Sequence, residues 1–435
     1  MAPPSSTPSY RLRVLTLALL AGCVPPGAQP AEPRTHAAPG FLYVWTTALD
    51  TFMRPPVPPD TIASRRVRGV VLVAVDIREG SPTSGRVVSV VFADSSECCA
   101  HHTEHALEPD GVLFANNFWV GRTHRFDLRA PGEPRLLGAF TTAGPFGYPH
   151  SFARLPSGNV LATFQGRASA EAPGTPPGAL VELRRDGTPV RWTSAAMPEA
   201  DSAALRPYSL EVLPGLDRVV TTSFGMGTSE GVHVQVWRLS DLSLLHTLRI
   251  PEAPAHAGHD AHAAGEGSHG EVHHRLPGEP RALADGRTVM IGTFTCGLYR
   301  LTGIDTPAPR LEFVHAFPGQ NCAVPARVGR WWVQTVPALR ALVTLDLADP
   351  ARPREVSRLV FAAPAAPHWL AADPSGRRLV MSSARGVRVH LVRLDAATGA
   401  LAHDASLPTI DLSRVEVPGR GTLRLMPHGV VFNRP

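Results

Sequence analysis

Short apolar runs, separated by Pro, Gly, Asp and Ser, recur along most of this chain of 435 residues. The runs are rich in Val, Leu, Thr and aromatic residues, and no long stretch repeats its apolar positions with the period of a helix. The clearest runs span residues 41–45, 69–75, 86–92, 232–237, 330–336 and 341–346. Apolar runs of this kind between turn residues predict an all-β chain.

One phrase recurs within this pattern, in which a Pro and a ring residue open a strand that a Pro/Gly turn joins to a second strand. The copies begin at Pro149-His150, Pro207-Tyr208, Pro367-His368 and, more loosely, His102. Repeats at intervals of about 40 to 70 residues are typical of a radial β-architecture. Because equivalent positions of such repeats converge on one axis, we expect the histidines to meet there.

Each repeat supplies about four antiparallel strands, which is the content of one propeller blade. Turns near residues 70, 111, 158, 218, 287, 330 and 378 predict a seven-bladed β-propeller, and the poorly marked first unit leaves six or eight blades open. The last phrase, Pro427-His428, has no full blade after it. We expect this segment to pair with the first blade near residues 41–47 and so to close the ring.

The N-terminus has the pattern of an export signal. Arg11 and Arg13 precede an apolar run that is too short to span a membrane, and the run ends at Ala21-Gly22-Cys23. This ending resembles a bacterial lipobox, so we predict that Cys23 is lipidated. An ordinary cleaved signal is the alternative.

These features divide the chain into a lipoprotein signal peptide at 1–22, a Pro/Ala-rich tether at 23–40 and a propeller domain at 41–435. The expected location is the periplasmic face of the bacterial envelope, where the lipid anchors the protein in a membrane. The outer membrane is favoured over the inner one.

The net charge of +5 comes entirely from arginine, because the chain contains no lysine. The arginines are scattered through turns, which is typical of a solvated surface, so we expect no nucleic-acid partner. The absence of lysine excludes Schiff-base chemistry on a lysine side chain.

Four cysteines remain beside Cys23, and an even number in an exported protein suggests pairing. The adjacent pair Cys98-Cys99 is consistent with reactive thiols, metal ligands or separate structural thiols. The sequence leaves open the connectivity of Cys98, Cys99, Cys296 and Cys322.

Histidines in the repeat positions are the candidate metal ligands, because imidazole binds copper, zinc and iron well. The alternative is that each one caps its own turn or packs in the channel. The candidates are His101, His102, His105, His150, His368 and His428.

A second group of histidines lies in a Gly/Ala/His-rich insertion at about 253–275, between two blades. Such a tract is loop-like and predicts either loose metal loading or a solvated insertion.

Motifs of other enzyme classes are absent from the sequence. There is no G-x-S-x-G elbow, P-loop, G-x-G-x-x-G turn or H-E-x-x-H helix. Carboxylates near the repeats, such as Glu104, Asp110 and Glu211, are not paired as a glycosidase acid and nucleophile. Metal chemistry is the remaining lead.

Several motifs resemble the selenium-binding protein family, whose bacterial members include copper-dependent methanethiol oxidases. They are the His101-His102 pair, Pro149-His150-Ser151, the Leu-Asp-Leu-Ala-Asp-Pro-Ala-Arg-Pro segment at 345–353, the turn beginning Asp373-Pro374, and Pro427-His428. The resemblance extends from about residue 95 to the C-terminus. It implies a seven-bladed propeller with a copper site built from such histidines, and the oxidation of methanethiol by oxygen to formaldehyde, hydrogen sulfide and hydrogen peroxide.

The leading hypothesis is thus an exported propeller that binds copper through His102, His150 and His428 and oxidises a small thiol. Additional ligands, or donors that hold the ligands, are expected among His101, His105 and His368. The alternative is a non-catalytic propeller that serves as a binding platform at the envelope or as a copper carrier. A hydrolytic propeller of the lactonase type is disfavoured, because no ring of Asp, Asn and Glu ligands is visible.

Overall fold

The computed structural model describes residues 39–50, 67–95, 99–169, 171–196, 205–228, 231–254, 271–272, 274–384 and 386–434. The predicted signal peptide, Cys23 and most of the tether lie outside the described residues. Within the described ranges the chain forms β-strands, with single 3-10 turns at Phe118–Val120, Pro214–Leu216 and Pro337–Leu339. No helix in these ranges has the length and apolar character that a membrane span requires.

The strands follow one another along the chain blade by blade. Most of blade 1 is β1 (Phe41–Leu49), β2 (Val67–Asp76) and β3 (Val87–Asp94), and blade 2 is β4 (Val112–Asn117), β5 (Arg122–Asp127) and β6 (Arg135–Phe140). Blade 3 contains β7 (Thr142–Ala143), β8 (Phe146–Arg154), β9 (Val160–Arg167), β10 (Ala179–Leu183) and β11 (Pro189–Ser194). Blade 4 contains β12 (Pro207–Leu213), β13 (Arg218–Ser223), β14 (His233–Arg238) and β15 (Leu244–Arg249).

A two-stranded ribbon, β16 (Ala253–Pro254) and β17 (Glu271–Val272), separates blades 4 and 5. Blade 5 contains β18 (Pro277–Ala282), β19 (Val289–Thr293), β20 (Gly297–Thr302) and β21 (Arg310–Ala316), and blade 6 contains β22 (Ala326–Val328), β23 (Trp331–Val336), β24 (Ala341–Asp346) and β25 (Arg354–Val360). Blade 7 contains β26 (Pro367–Ala372), β27 (Arg378–Ser383), β28 (Arg388–Leu394), β29 (Leu401–His403) and β30 (Thr409–Asp411). The last strands are β31 (Val415–Val417) and β32 (Gly421–Phe432).

The sheets form a seven-bladed propeller, which confirms the predicted class and blade count. The ring closes as the sequence predicts, because β32 pairs antiparallel with β1 and so completes blade 1. Val430 lies opposite Val44, and Met426 lies opposite Thr47. The last strand of the chain thereby covers the sheet edge that β1 would otherwise expose.

Apolar side chains on the faces of neighbouring blades form the core. Between blades 7 and 1, for example, Trp369 and Val380 pack with Val44 and Val73, all fully or almost fully buried. The alternation of residues along each strand places these side chains on the faces that meet. The core is therefore a set of apolar layers between neighbouring blades. The residues along the propeller axis belong to none of these layers and come from the inner strands.

The inner strands line this axis and are bulged at one place. The first strands of successive blades contact each other, as β8 does with β12 and β12 with β18. In β8, β12, β18 and β26 the register shifts immediately after the Pro, namely Pro149, Pro207, Pro277 and Pro367. Pro has no N–H to give to the ladder, and a bulge redirects the side chains that follow it. The phrase that recurs in the sequence therefore corresponds to the Pro and the β-bulge of each inner strand.

In β8, β12, β18 and β32, whose register against β1 also shifts, the bulge leaves a buried carbonyl that its own sheet does not satisfy, and a side chain from the preceding blade donates to it. The bonds run from Asn116 Nδ2 to His150 O (2.8 Å), Thr163 Oγ1 to Tyr208 O (2.8 Å), Thr222 Oγ1 to Gly278 O (2.6 Å) and Ser382 Oγ to His428 O (2.6 Å). The acceptor is in every case the residue that follows the Pro. The position of each ring residue is therefore fixed by two blades.

A disulfide between Cys296 and Cys322 joins blade 5 to the segment that leads into blade 6, which answers part of the pairing that the sequence left open. Both residues are buried. Cys99 is also buried, and Cys98 lies outside the described residues.

Replacing both Cys296 and Cys322 with Ser is expected to lower the free energy of unfolding by about 3 to 4 kcal/mol, because a cross-link across 26 residues restricts the unfolded chain. Guanidinium denaturation of the variant and of the wild type measures the difference. The control repeats both measurements with reductant, where the transitions of the wild type and of the variant should coincide. A loss below about 1 kcal/mol would show that this bond adds little to the propeller.

Candidate metal centre

Three of the predicted ligands come together at the propeller axis. His101, His102 and His150 are buried, and each offers a ring nitrogen such that these atoms lie within 4.8 Å of one another. The His101 and His102 rings are stacked with centroids 4.3 Å apart, and the His102 and His150 centroids are also 4.3 Å apart. Among the described residues this is a compact group of three imidazoles contributed by two blades.

His428 and His368 extend the group on the side of blades 1 and 7. The His428 ring centroid lies 4.6 Å from that of His101 and 5.6 Å from that of His102. The Nε2 atoms of His368 and His428 are 3.1 Å apart, so one of them donates a hydrogen bond to the other when both rings are neutral. The structure thus places five of the six predicted histidines in one cluster.

The tautomer of His150 follows from its partner. His150 Nδ1 lies 2.7 Å from the carbonyl oxygen of Tyr208, which only accepts hydrogen bonds, so Nδ1 carries the proton. The opposite nitrogen, Nε2, is buried without a hydrogen-bond partner. A neutral ring held in this way presents a bare nitrogen lone pair, which is the form in which histidine binds a metal.

The other rings of the cluster also have buried nitrogens without hydrogen-bond partners, His101 Nδ1 and His428 Nδ1. A buried polar atom that lacks a partner costs about 1–3 kcal/mol. Several such atoms on neighbouring imidazoles therefore offer lone pairs with which the cluster could hold a metal ion.

The protonation of the cluster favours ligation at neutral pH. Burial lowers the pKa of His150 and of His368 to about 4. Burial, and then the neighbouring imidazoles, hold the pKa values of His101, His102 and His428 well below the ordinary value. The rings are consequently neutral at pH 7, and protons do not compete with a metal for their lone pairs.

His105, the sixth predicted ligand, occupies a different position. Its ring stacks on Trp369 with centroids 4.6 Å apart, and its Nε2 accepts a hydrogen bond of 2.9 Å from Arg281. This nitrogen also lies 3.2 Å from Glu279 Oε2. His105 therefore lies beside the cluster, in contact with Trp369, Arg281 and Glu279, and outside the group of three imidazoles.

Glu279 is a site residue that the sequence analysis missed. Its carboxylate is buried, and its Oε1 lies 3.8 Å from His102 Nδ1. Leu276, which precedes the Pro of blade 5, has a φ of 62°, close to the 60° of Tyr148 before Pro149. The sequence signal that could have revealed Glu279 is the phrase Leu276-Pro277-Gly278-Glu279. It is a further copy of the repeat, with Gly at the position where other copies have a ring residue.

Asn116 is the second residue that sequence reasoning missed. Its backbone and side chain accept hydrogen bonds from the backbone N–H groups of His101 and His102, at 3.0 and 2.8 Å. Its Nδ2 donates to the carbonyl of His150. One polar residue in an apolar strand therefore ties the histidine pair to His150.

Aromatic rings flank the cluster on the side of blades 3 to 5. The Tyr208 ring lies 3.9 Å from that of His150, and Phe224 and Phe294 lie 5.0 and 5.6 Å from Tyr208 between ring centroids. Phe294 is half-buried, so this apolar wall reaches toward solvent.

The other carboxylates named from the sequence have structural partners. Arg154 pairs with Glu104 at 2.7 Å and with Asp110 at 3.0 Å. Most of the His-rich insertion lies outside the described residues. His274, at its end, is buried with Nδ1 2.9 Å from the carbonyl oxygen of Thr295.

Comparison with known proteins supports the fold. No protein-family model matches the chain, and no curated protein matches it in sequence. A hypothetical selenium-binding protein from Sulfolobus tokodaii is similar in structure, with a TM-score of 0.67 at 14% identity over 92% of this chain and 94% of its own. At this identity the likeness shows a shared propeller fold. The name of the Sulfolobus protein is that of the family that the motifs of this chain resemble.

Two further similar structures bear lactonase names. A putative 6-phosphogluconolactonase from Bacteroides uniformis has a TM-score of 0.58 at 13% identity, over 91% of this chain and 100% of its own. The periplasmic gluconolactonase of Pseudomonas aeruginosa has a TM-score of 0.55 at 16% identity, with the same coverage. The class defined by fold and site is therefore a seven-bladed propeller with a histidine cluster on its axis.

Proposed function

We propose that this propeller binds copper through its axial histidines and oxidises a small thiol with oxygen. The observation that carries the proposal is the set of buried, neutral ring nitrogens without partners, above all His150 Nε2. His101, His102 and His150 would hold the ion, with His428 as the next ligand and His368 in contact with it.

The donor set fits copper. Imidazole suits copper, zinc, iron and nickel, and thiol oxidation requires an ion that changes its oxidation state, which zinc does not do. Bound copper would pass electrons from the thiol to oxygen. For methanethiol the balanced reaction takes one thiol, one oxygen and one water to formaldehyde, hydrogen sulfide and hydrogen peroxide.

The chain's own residues would position the ligands and the substrate. The carbonyl of Tyr208 keeps the proton of His150 on Nδ1, which leaves Nε2 free to bind metal. The wall of Tyr208, Phe224 and Phe294 offers an apolar surface for the alkyl group of a small thiol. Burial of the ring nitrogens excludes water from the ligands.

We further propose that the protein is exported and is held at the periplasmic face of the envelope by a lipid on Cys23. The supporting observation is the signal-like sequence that ends at Ala21-Gly22-Cys23. The buried Cys296–Cys322 disulfide is consistent with an oxidising compartment.

The wild type should retain about one copper per chain after reconstitution and a chelator wash, and His150→Ala should lose most of it because a ligand is removed. Elemental analysis measures the copper. The matched control is His124→Ala, which removes a buried histidine outside the cluster and should leave the copper content unchanged. Less than about a tenth of an equivalent in the wild type, unaffected by His150→Ala, would refute the copper site.

Oxygen uptake with methanethiol should require copper, and the copper-free protein and His150→Ala should be inactive. An oxygen electrode and an assay for hydrogen peroxide follow the reaction. Dimethyl sulfide, which has no S–H group, is the matched control and should support no uptake. Tight copper binding without any thiol-dependent uptake would favour the alternative, a non-catalytic platform or a copper carrier.

A further inference from the structure

We propose that Glu279 is a positioning residue that fixes the tautomer of His102 and thereby sets the strength with which His102 donates to the metal. The inference rests on the proposed copper site and adds a residue that lies one position after the ring-residue position of the repeat. Glu279 is not a ligand in this account. It acts on the metal through one imidazole ring.

Two polar side chains beside the histidine cluster, Ser209 and Arg281, hold the carboxylate of Glu279 in place. Ser209 donates a hydrogen bond to Glu279 Oε2, and Arg281 donates another at 3.1 Å. The side chains of Ser209 and Glu279 are buried, whereas the Arg281 side chain is 13% exposed. Oε2 is thereby fully occupied, and the orientation of the carboxylate is fixed.

The second oxygen, Oε1, faces the metal cluster. It is buried, has no hydrogen-bond partner, and lies 3.8 Å from His102 Nδ1. That distance is about 1 Å longer than an N–H···O hydrogen bond, so a small rotation of the His102 ring would complete one. A proton on Nδ1 that points to Oε1 leaves Nε2 of His102 bare.

The charge of Glu279 suits this role. Burial alone would raise the pKa of Glu279, but the positive charge of Arg281 and the hydrogen bond from Ser209 hold it below its ordinary value. The group is thus an ionised acceptor. A carboxylate that accepts from a metal-bound imidazole makes the ring a stronger donor, and a stronger donor favours Cu(II) over Cu(I).

A competing partner for His102 is Ser151. Its Oγ lies 3.5 Å from His102 Nδ1, and a hydroxyl that donated to Nδ1 would place the ring proton on Nε2 instead. This arrangement would leave Glu279 Oε1 without a partner and would withdraw His102 from the metal. If Glu279 positions His102, replacing Glu279 should change the midpoint potential of the copper. If Ser151 does so, replacing Ser151 should change it instead.

The test is Glu279→Gln in the full protein loaded with copper. Because Ser209 and Arg281 donate to the Oε2 position, the amide oxygen should take that place, and the NH₂ group should then face His102 Nδ1. We expect Cu(II) to bind about 10- to 100-fold more weakly. Each tenfold loss that is confined to Cu(II) raises the midpoint potential by about 59 mV in a one-electron couple.

Competition with a chelator gives the Cu(II) affinity, a redox titration gives the potential, and electron paramagnetic resonance records the nitrogen ligands. The matched control is Glu104→Gln, which removes another buried carboxylate paired with an arginine, Arg154. Glu104 accepts from Phe114 N and Arg154 rather than from an imidazole, so the potential should stay unchanged. An equal shift in both variants would overturn the inference, because the loss of any nearby charge would explain it.

Ser209→Ala supplies a second variant in case Glu279→Gln fails to fold. It removes one donor from the carboxylate, which strengthens the interaction of Glu279 with His102, so the midpoint potential should fall. An unchanged potential in Glu279→Gln and Ser209→Ala, or a shift in Ser151→Ala alone, would overturn the role of Glu279 while copper binding by the wild type stood. Failure of the wild type to bind copper would instead refute the proposed function.

Discussion

A bulged inner strand leaves a buried carbonyl at the propeller axis, and a polar side chain of the preceding blade has to satisfy it. The bonds from Asn116, Thr163, Thr222 and Ser382 do this around the ring. An unsatisfied buried carbonyl would cost about as much as a core mutation, so blade packing and ring-residue placement are coupled. The backbone of His150 and of His428 is therefore held by the preceding blade as well as by its own.

The fold could be predicted because its signals are local. The Pro that opens each inner strand and the turn that follows are both visible in the sequence, and they gave the blade count and the closure by β32. His101, His102, His150, His368 and His428 also follow from the repeat, since equivalent positions meet on the axis. Their separation into a group of three and a pair does not follow, because it depends on which way each bulge turns the side chain.

The residues that the sequence did not reveal act across blades. Glu279 lies one position later in its phrase than the ring residues do, after Gly278, so the repeat pointed to a residue without a side chain. Asn116 reads as an ordinary polar residue in a strand until the histidine backbone is placed beside it. The roles of Glu279 and Asn116 depend on contacts between blades, which the local sequence does not show. The chemistry of a propeller is determined by such site residues and not by the fold alone.

The central claim is that the axial histidines bind copper, and anomalous diffraction at the copper edge from crystals of the copper-loaded protein tests it most directly. We expect a peak about 2.0 Å from His150 Nε2, within the group formed with His101 and His102. A peak confined to the His-rich insertion at 253–275, with none on the axis, would contradict it.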